Sequence, residues 1–210
     1  MGKILYIQAS PRGEKSSSIA VADAFIDFYK RQKTDDKVEI LNVFSDFLPK
    51  FDGLAVQAKY TILHGQSHTP EELQAWKKIE KVIAEFKSAD KYVLAIPMWN
   101  FSIPYRLKQY MDIIIQPGYT FGYSQEKGYE GLVKAKPLLA IYARGGQYPA
   151  GTESEAFDMQ KKYVETIFKF MGFENIKSIV IEPTLQGGPE VAQQKVQEAI
   201  ACAKKIASDF

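Results

Sequence analysis

One cysteine among 210 residues, Cys202, leaves no partner for an intrachain disulfide and no multi-cysteine metal site. It falls on an alanine- and isoleucine-rich helical segment, where an inert thiol is expected. Histidine is nearly as scarce: His64 and His68 have no thiol nearby, and the neighbouring carboxylates Glu71 and Glu72 are accounted for by a helix start, so no metal is expected and both are read as surface residues. No apolar run approaches the roughly 20 residues that cross a bilayer. Met1-Gly2-Lys3 leads straight into a strand-like segment instead of a signal-peptide core, so the expectation is a cytoplasmic protein with no membrane partner. Charge of one sign is also missing. With 27 Lys and Arg against 25 Asp and Glu, interspersed, the net charge of +2 offers no basic footprint, and nucleic acid is not expected as a partner. Neither G-x-x-x-x-G-K-[ST] nor G-x-G-x-x-G occurs, which argues against a P-loop triphosphatase and a standard dinucleotide fingerprint.

What is present is an ordinary globular composition, 46% hydrophobic and 25% charged, long enough to bury a full core. Five short apolar runs read as strands: residues 3–8, 38–43, 91–96, 137–142 and 176–181. Between them lie helical spacings. Ile19, Ala22, Phe25, Ile26 and Tyr29 form the first; Leu73, Trp76, Ile79, Ile83 and Phe86 form a second, expected to be core throughout. Its start is Thr69-Pro70-Glu71-Glu72, with threonine as cap, proline in the first turn and Glu72 returning to the cap amide. Leu107, Tyr110, Met111 and Ile114 mark a third helix begun by Asn100 or Ser102. Phe157, Tyr163, Val164, Ile167, Phe168 and Met171 mark a fourth, capped by Gly172, and a last helix from Pro189 turns Ala192, Val196, Ala199, Ala203 and Ile206 inward. Residues 44–68 form a long connection, functional or hiding a short helix. No repeat, low-complexity segment or linker divides residues 1–210, so a single domain is expected.

Three loops follow strands and carry the chemistry. After the first strand, Ser10-Pro11-Arg12-Gly13-Glu14-Lys15-Ser16-Ser17-Ser18 opens a helix. One serine suffices as a cap; four hydroxyls beside the free amides and positive end of a helix suit a phosphate, to which Arg12 and Lys15 could add charge. After the third strand comes Pro97-Met98-Trp99-Asn100-Phe101-Ser102, either an aromatic turn over the core or the wall of a ligand site. After the fourth comes Ala143-Arg144-Gly145-Gly146, where two glycines let the backbone approach a flat ligand and present its amides, unless they only make a flexible turn. A further glycine and aromatic loop, residues 118–123, is placed over a ligand or at an interface. Strands alternating with helices imply a parallel sheet covered on both faces, an α/β three-layer sandwich. In the flavodoxin-like order 2-1-3-4-5 the three loops meet at the switch point, where a flavin mononucleotide binds.

Together, the serine loop, Pro97-Met98-Trp99-Asn100-Phe101-Ser102-Ile103-Pro104 with Leu107-Lys108, and Ala143-Arg144-Gly145-Gly146 resemble the FMN-dependent NADH:azoreductase and quinone oxidoreductase family over essentially the whole chain. Residues 118–121 and Gly188-Pro189-Glu190 extend the likeness. The resemblance implies a flavodoxin-like domain in which Ser10, Ser16, Ser17 and Ser18 hold the FMN phosphate. Met98, Trp99, Asn100 and Phe101 would flank the isoalloxazine, and Ala143, Arg144, Gly145 and Gly146 would meet its pyrimidine edge. The chain departs from the family in having Trp99 where tyrosine is common and Ala143 where serine is common. The implied activity is ping-pong two-electron transfer from NADH or NADPH to quinones or azo compounds, with no protein nucleophile. A homodimer is implied too, its active sites shared between subunits and residues 44–68 and 118–129 at the interface. Two other readings stay open: a flavodoxin-type electron carrier without nicotinamide activity, usually smaller and acidic, and a non-enzymatic partner-binding α/β domain.

Overall fold

A computed structural model describes residues 1–210. Five strands, β1 (Lys3–Gln8), β2 (Lys37–Asn42), β3 (Lys91–Pro97), β6 (Leu138–Ala143) and β7 (Ile176–Ile181), pair in parallel in the order β2-β1-β3-β6-β7. In sequence order of the sheet strands this is the expected 2-1-3-4-5. Two further strands, β4 (Phe121–Ser124) and β5 (Gly128–Gly131), form a separate antiparallel hairpin where a loop was expected. The helices are α1 (Ser17–Gln32), α2 (Gly53–Leu63), α3 (Pro70–Lys87), α4 (Tyr105–Ile114), α5 (Met159–Met171) and α6 (Gly188–Ser208).

The central strands are buried on both faces, which is why they read as continuous apolar runs and not as alternations. On one face Ile4, Tyr6, Val93, Ala95, Leu139 and Ile141 pack against α1 and α6. On the other, Leu5, Ile7, Leu94, Ile96, Ala140 and Tyr142 share a larger core with α3, α4 and α5. Small residues Ala199, Ala203 and Ala207 let α6 lie close against α1.

Local chemistry sets the helix ends. At α3 the capping box forms as expected: Glu72 N donates to Thr69 Oγ1 at 3.2 Å and Thr69 N donates to Glu72 Oε2 at 2.9 Å. Such a cap contributes about 1 kcal/mol. Leu73 departs from expectation, since this first-turn residue is exposed while the stripe from Trp76 to Phe86 is buried. The connection over residues 44–68 holds α2, capped by Asp52. His64 is exposed, and the half-buried His68 bonds through Nε2 to Ala58 O at 2.8 Å. Neither Asn100 nor Ser102 starts α4; Pro104 does, without a side-chain cap. Phe157 lies in a 3₁₀ turn before α5, not in the helix. Gly172 ends α5 at φ 107°, the left-handed conformation expected of a glycine cap. The hairpin is seated there, with Val133 N donating to Met171 O at 2.9 Å and the Phe121 ring 4.8 Å from Phe170.

Candidate cofactor site at the carboxyl end of the sheet

Register brings the three strand ends together. Gln8 lies opposite Ala95 and Pro97 opposite Ala143, so the chain leaves β1, β3 and β6 at one edge. Backbone bonds carry the contact into the loops: Ala9 N donates to Ala95 O at 2.9 Å, and Met98 N donates to Ala143 O at 2.8 Å.

In the first loop a short 3₁₀ turn (Gly13–Lys15) precedes α1, and Ser16 is the cap residue. Its side chain makes no capping bond; its hydroxyl lies 3.1 Å from that of Ser18, both buried. The amides of Ser17, Ser18 and Ile19 have no acceptor in the protein. Ser10 is buried, and its hydroxyl accepts from Arg12 N at 3.3 Å. The uncapped amides, and whichever hydroxyl of the Ser16–Ser18 pair accepts from the other, are donors without an acceptor, the arrangement a phosphate dianion satisfies. Arg12 and Lys15 are exposed and make no ion pair.

The second loop is a tight turn. Trp99 N donates to Ser102 O at 3.0 Å and Ser102 N donates to Trp99 O at 2.9 Å, closing a bridge over Asn100 and Phe101. Both central residues are left-handed, φ 48° and 66°, as this class of turn requires. Asparagine tolerates that conformation; phenylalanine is rarely found in it. The turn sends its aromatics into different clusters. Trp99 packs near Phe44 and Tyr105, at 5.6 and 6.3 Å between centroids, whereas Phe101 meets Phe157 at 5.0 Å and Tyr148 at 6.3 Å.

In the third loop the amides of Gly145 and Gly146 make no bond within the protein. Gly145 O is held by Leu185 N and Gln186 N, both at 3.1 Å, and Arg144 O by Thr184 N at 2.8 Å. A Cβ on Gly145 would stand 2.8 Å from Leu185 Cδ1, the tip of an exposed side chain that can turn aside, so the backbone bonds and not a bar to a side chain fix this close approach. Arg144 differs from its neighbours. Its guanidinium is 2% exposed and committed to Asp158 at 2.7 Å, Glu182 at 3.3 Å and, through Nε, Gln160 Oε1 at 3.1 Å. Gln160 in turn donates to Ile96 O at 3.1 Å. Only the backbone of Arg144 therefore faces the loop; its side chain braces β3, β7 and α5 against one another.

The structure thus gathers the serine loop, the Met98 to Phe101 turn and Ala143 to Gly146 at one end of the sheet. Sequence reasoning missed the Thr184 to Gln186 brace, the Asp158–Glu182–Gln160 set and the Tyr148 and Phe157 rings, all brought in by long-range contacts with no local signature. Hydroxyls and amides at one loop, a projecting turn at the second and free glycine amides at the third fit the phosphate, ring and ring edge of FMN respectively.

Comparison with known proteins agrees with this geometry. A family described as having a flavodoxin-like fold matches residues 2–206. An FMN-dependent NADH:quinone oxidoreductase of Nitratidesulfovibrio vulgaris is 53% identical over 210 residues, the whole of both chains. Among solved structures, an azoreductase of Bacillus anthracis superposes with a TM-score of 0.91 at 31% identity over all of both chains. An FMN-dependent NADH-azoreductase of the same species, in complex with FMN, gives 0.87 at 32% identity, covering 99% of this chain and 100% of that one. Matched along nearly its full length in both sequence and fold, the chain belongs to the flavodoxin-like family that contains the FMN-dependent NADH:quinone oxidoreductases.

Proposed function

We propose that residues 1–210 are one FMN-binding domain of an oxidoreductase that takes electrons from NADH or NADPH and passes them to quinones and aromatic azo compounds. The observation that carries this reading is the convergence of unpaired donors, the Ser17, Ser18 and Ile19 amides on one side and those of Gly145 and Gly146 on the other, around a projecting turn. Bound FMN supplies the two-electron redox chemistry; the protein binds, orients and tunes it. Ser10, Ser16, Ser17 and Ser18 hold the phosphate. Met98, Trp99, Asn100 and Phe101 wall the ring, and Ala143 to Gly146 meet its edge through the backbone. Fixed amide dipoles at Gly145 and Gly146 favour an electron-rich ring without reorganisation. Nicotinamide and acceptor use the same open side in turn, which makes the reaction ping-pong, and dependence on a reduced nicotinamide suits a cytoplasmic protein.

We further read the protein as a homodimer with subunits sharing each site. Exposed Phe47, Leu54, Tyr60, Ile62 and Leu63 around α2, with Tyr123 and Tyr129 on the hairpin, support this, since such apolar surface is typical of an interface. Sedimentation of an active, FMN-loaded monomer would reject it. The reaction is tested by the visible spectrum of the purified protein and its anaerobic bleaching by NADH and NADPH, followed by reoxidation with a quinone or an azo dye. A yellow protein that neither nicotinamide bleaches is an electron carrier, and a colourless one that FMN cannot reconstitute is a binding domain.

A further inference from the structure

Away from these loops, beside the edge strand β2, lies a cavity of about 220 Å³. Ile40 and Leu41 of β2, Leu48 from the segment after it, and Val82 and Phe86 of α3 form its apolar walls, and Phe47, read above as part of the subunit interface, also borders it. Tyr110 of α4 also lines it. That residue is 2% exposed, yet its hydroxyl has no hydrogen-bond partner in the protein. Tyr6, Tyr29 and Tyr92, also buried, each find an acceptor, Asp23 at 2.9 Å, Asp36 at 2.5 Å and Phe86 O at 2.7 Å, whereas Tyr142 is a second buried tyrosine without one and lines no part of this cavity. The Tyr110 hydroxyl is thus open to an occupant of the cavity, which can supply the partner the protein does not.

The polar lining is of one sign. Glu39, Asp46 and Glu85 border the cavity, and no cation does. Glu39 is paired with Lys3 at 2.5 Å, and Asp46 accepts from Asn42 N at 2.8 Å and Ser45 Oγ at 3.2 Å. Glu85 is the least committed, with Lys81 3.9 Å away. Burial first, then the fields of Tyr92, Glu85 and Glu39, push the Tyr110 phenol up, so those carboxylates act on the same hydroxyl. Acceptors around an apolar slot repel anions and suit a ring bearing hydrogen-bond donors.

We propose that this cavity is a second ligand site, separate from the three-loop site, that takes a one- or two-ring arylamine. The ring lies among Ile40, Val82 and Phe86, and the amine turns to the Tyr110 hydroxyl and the Glu39 and Glu85 edge. The ligand class rests on the proposed reaction. Cleaving an azo N=N bond takes four electrons and four protons, supplied by two NADH and two solvent protons, and leaves two arylamines. The azo substrate carries only acceptors at that bond; the products carry the N–H donors this lining accepts.

Aniline titrated into the FMN-loaded protein, followed by methyl NMR, is expected to give saturable shifts at Ile40, Leu41, Leu48 and Val82. Benzoate should give none. Val82→Phe and Ile40→Phe, each filling the slot from a partly exposed position, should abolish the aniline shifts while the flavin spectrum is unchanged. Tyr110→Phe should weaken aniline roughly fivefold, the worth of one neutral hydrogen bond, and leave toluene binding as it was. Aniline shifts confined to the Ile103 and Ala143 methyls at the three-loop site, equal binding of benzoate, or full binding by both filled variants would overturn the site. Saturable aniline binding here in a protein that NADH does not bleach would uphold the site while sinking the reading of the reaction.

Discussion

Replacing Arg144 with methionine separates the brace from the cofactor loop it underlies. The substitution keeps much of the side-chain volume and removes three bonds: to Asp158 at 2.7 Å, Glu182 at 3.3 Å and Gln160 at 3.1 Å. Breaking a buried ion pair from one side costs about 3–5 kcal/mol because the partner charge is left uncompensated. Here the stranded carboxylates are 15% and 22% exposed and can recover some water, and the Glu182 contact is long. The expected loss is therefore at the lower end, about 3 kcal/mol, or roughly a hundredfold in the folding equilibrium. FMN binding should fall much less, under about tenfold, because Gly145 O and Arg144 O stay held by the Thr184 to Gln186 backbone. Urea unfolding with and without added FMN measures both, since the difference between the two curves reports affinity. Arg144→Lys should fall between, keeping charge but losing the planar fork. A loss of stability below about 1 kcal/mol for Arg144→Met would refute the brace. A large loss of FMN affinity at unchanged stability would show that the guanidinium meets the cofactor after all.

Three other outcomes are expected. A Cβ on Gly131 would lie 2.3 Å from Gly172 N and 2.4 Å from its Cα, both backbone, so Gly131→Ala should unseat the hairpin and cost about 3 kcal/mol in thermal unfolding, with faster proteolysis at Lys127. Ser16→Ala and Ser18→Ala should each raise the FMN dissociation constant by roughly 10- to 100-fold, the worth of a hydrogen bond to a charged group, while riboflavin, lacking the phosphate, binds unchanged; equal losses for both flavins would show a fault in the fold. Asp36 accepts from Tyr29 Oη and from Gly2 N, and these bonds, with the field of Lys91, hold its carboxyl below the usual range. A folded-state pKa below the unfolded one contributes stability that is present above about pH 4 and lost as pH falls through the folded value. Asp36→Asn should therefore flatten the acid limb of a urea-midpoint series between pH 6 and pH 3, and an unaltered limb would count against it.

The sheet was readable because its central strands are wrapped on both faces and so become uninterrupted apolar runs, and because the capping box of α3 is written in four consecutive residues. Elements that depend on distant partners were not. The β4–β5 hairpin has four-residue strands with Gly122, Gly128 and Gly131 in them and no alternation; the end of α5 and Phe170 hold it. Helix α2 carries Leu54, Tyr60, Ile62 and Leu63 on its exposed side, so no stripe marks it off from a loop. Leu73 shares the spacing of the buried α3 stripe but sits in the first turn, ahead of the buried run that begins at Trp76.

The same division runs through the site. Hydroxyls and glycines at strand ends are local features, and Ser16 to Ser18 and Gly145-Gly146 could be singled out from residue type alone. The fate of Arg144 could not, because its partners Asp158 and Glu182 lie 14 and 38 residues away. Phe101 is the instructive case. A bulky residue at φ 66° is held against its preference, a cost on the order of 1–3 kcal/mol that persists only where the surroundings over-determine it. Those surroundings are the Trp99–Ser102 bridge, the Phe157 and Tyr148 rings, and Met159 N donating to Phe101 O at 3.1 Å. Glycine there would remove the strain but not supply the ring, and asparagine would supply neither contact. The proposed reading gives that strain a use: the ring stays 44% exposed at the tip of the turn, where a flat cofactor bound at the three loops would meet it.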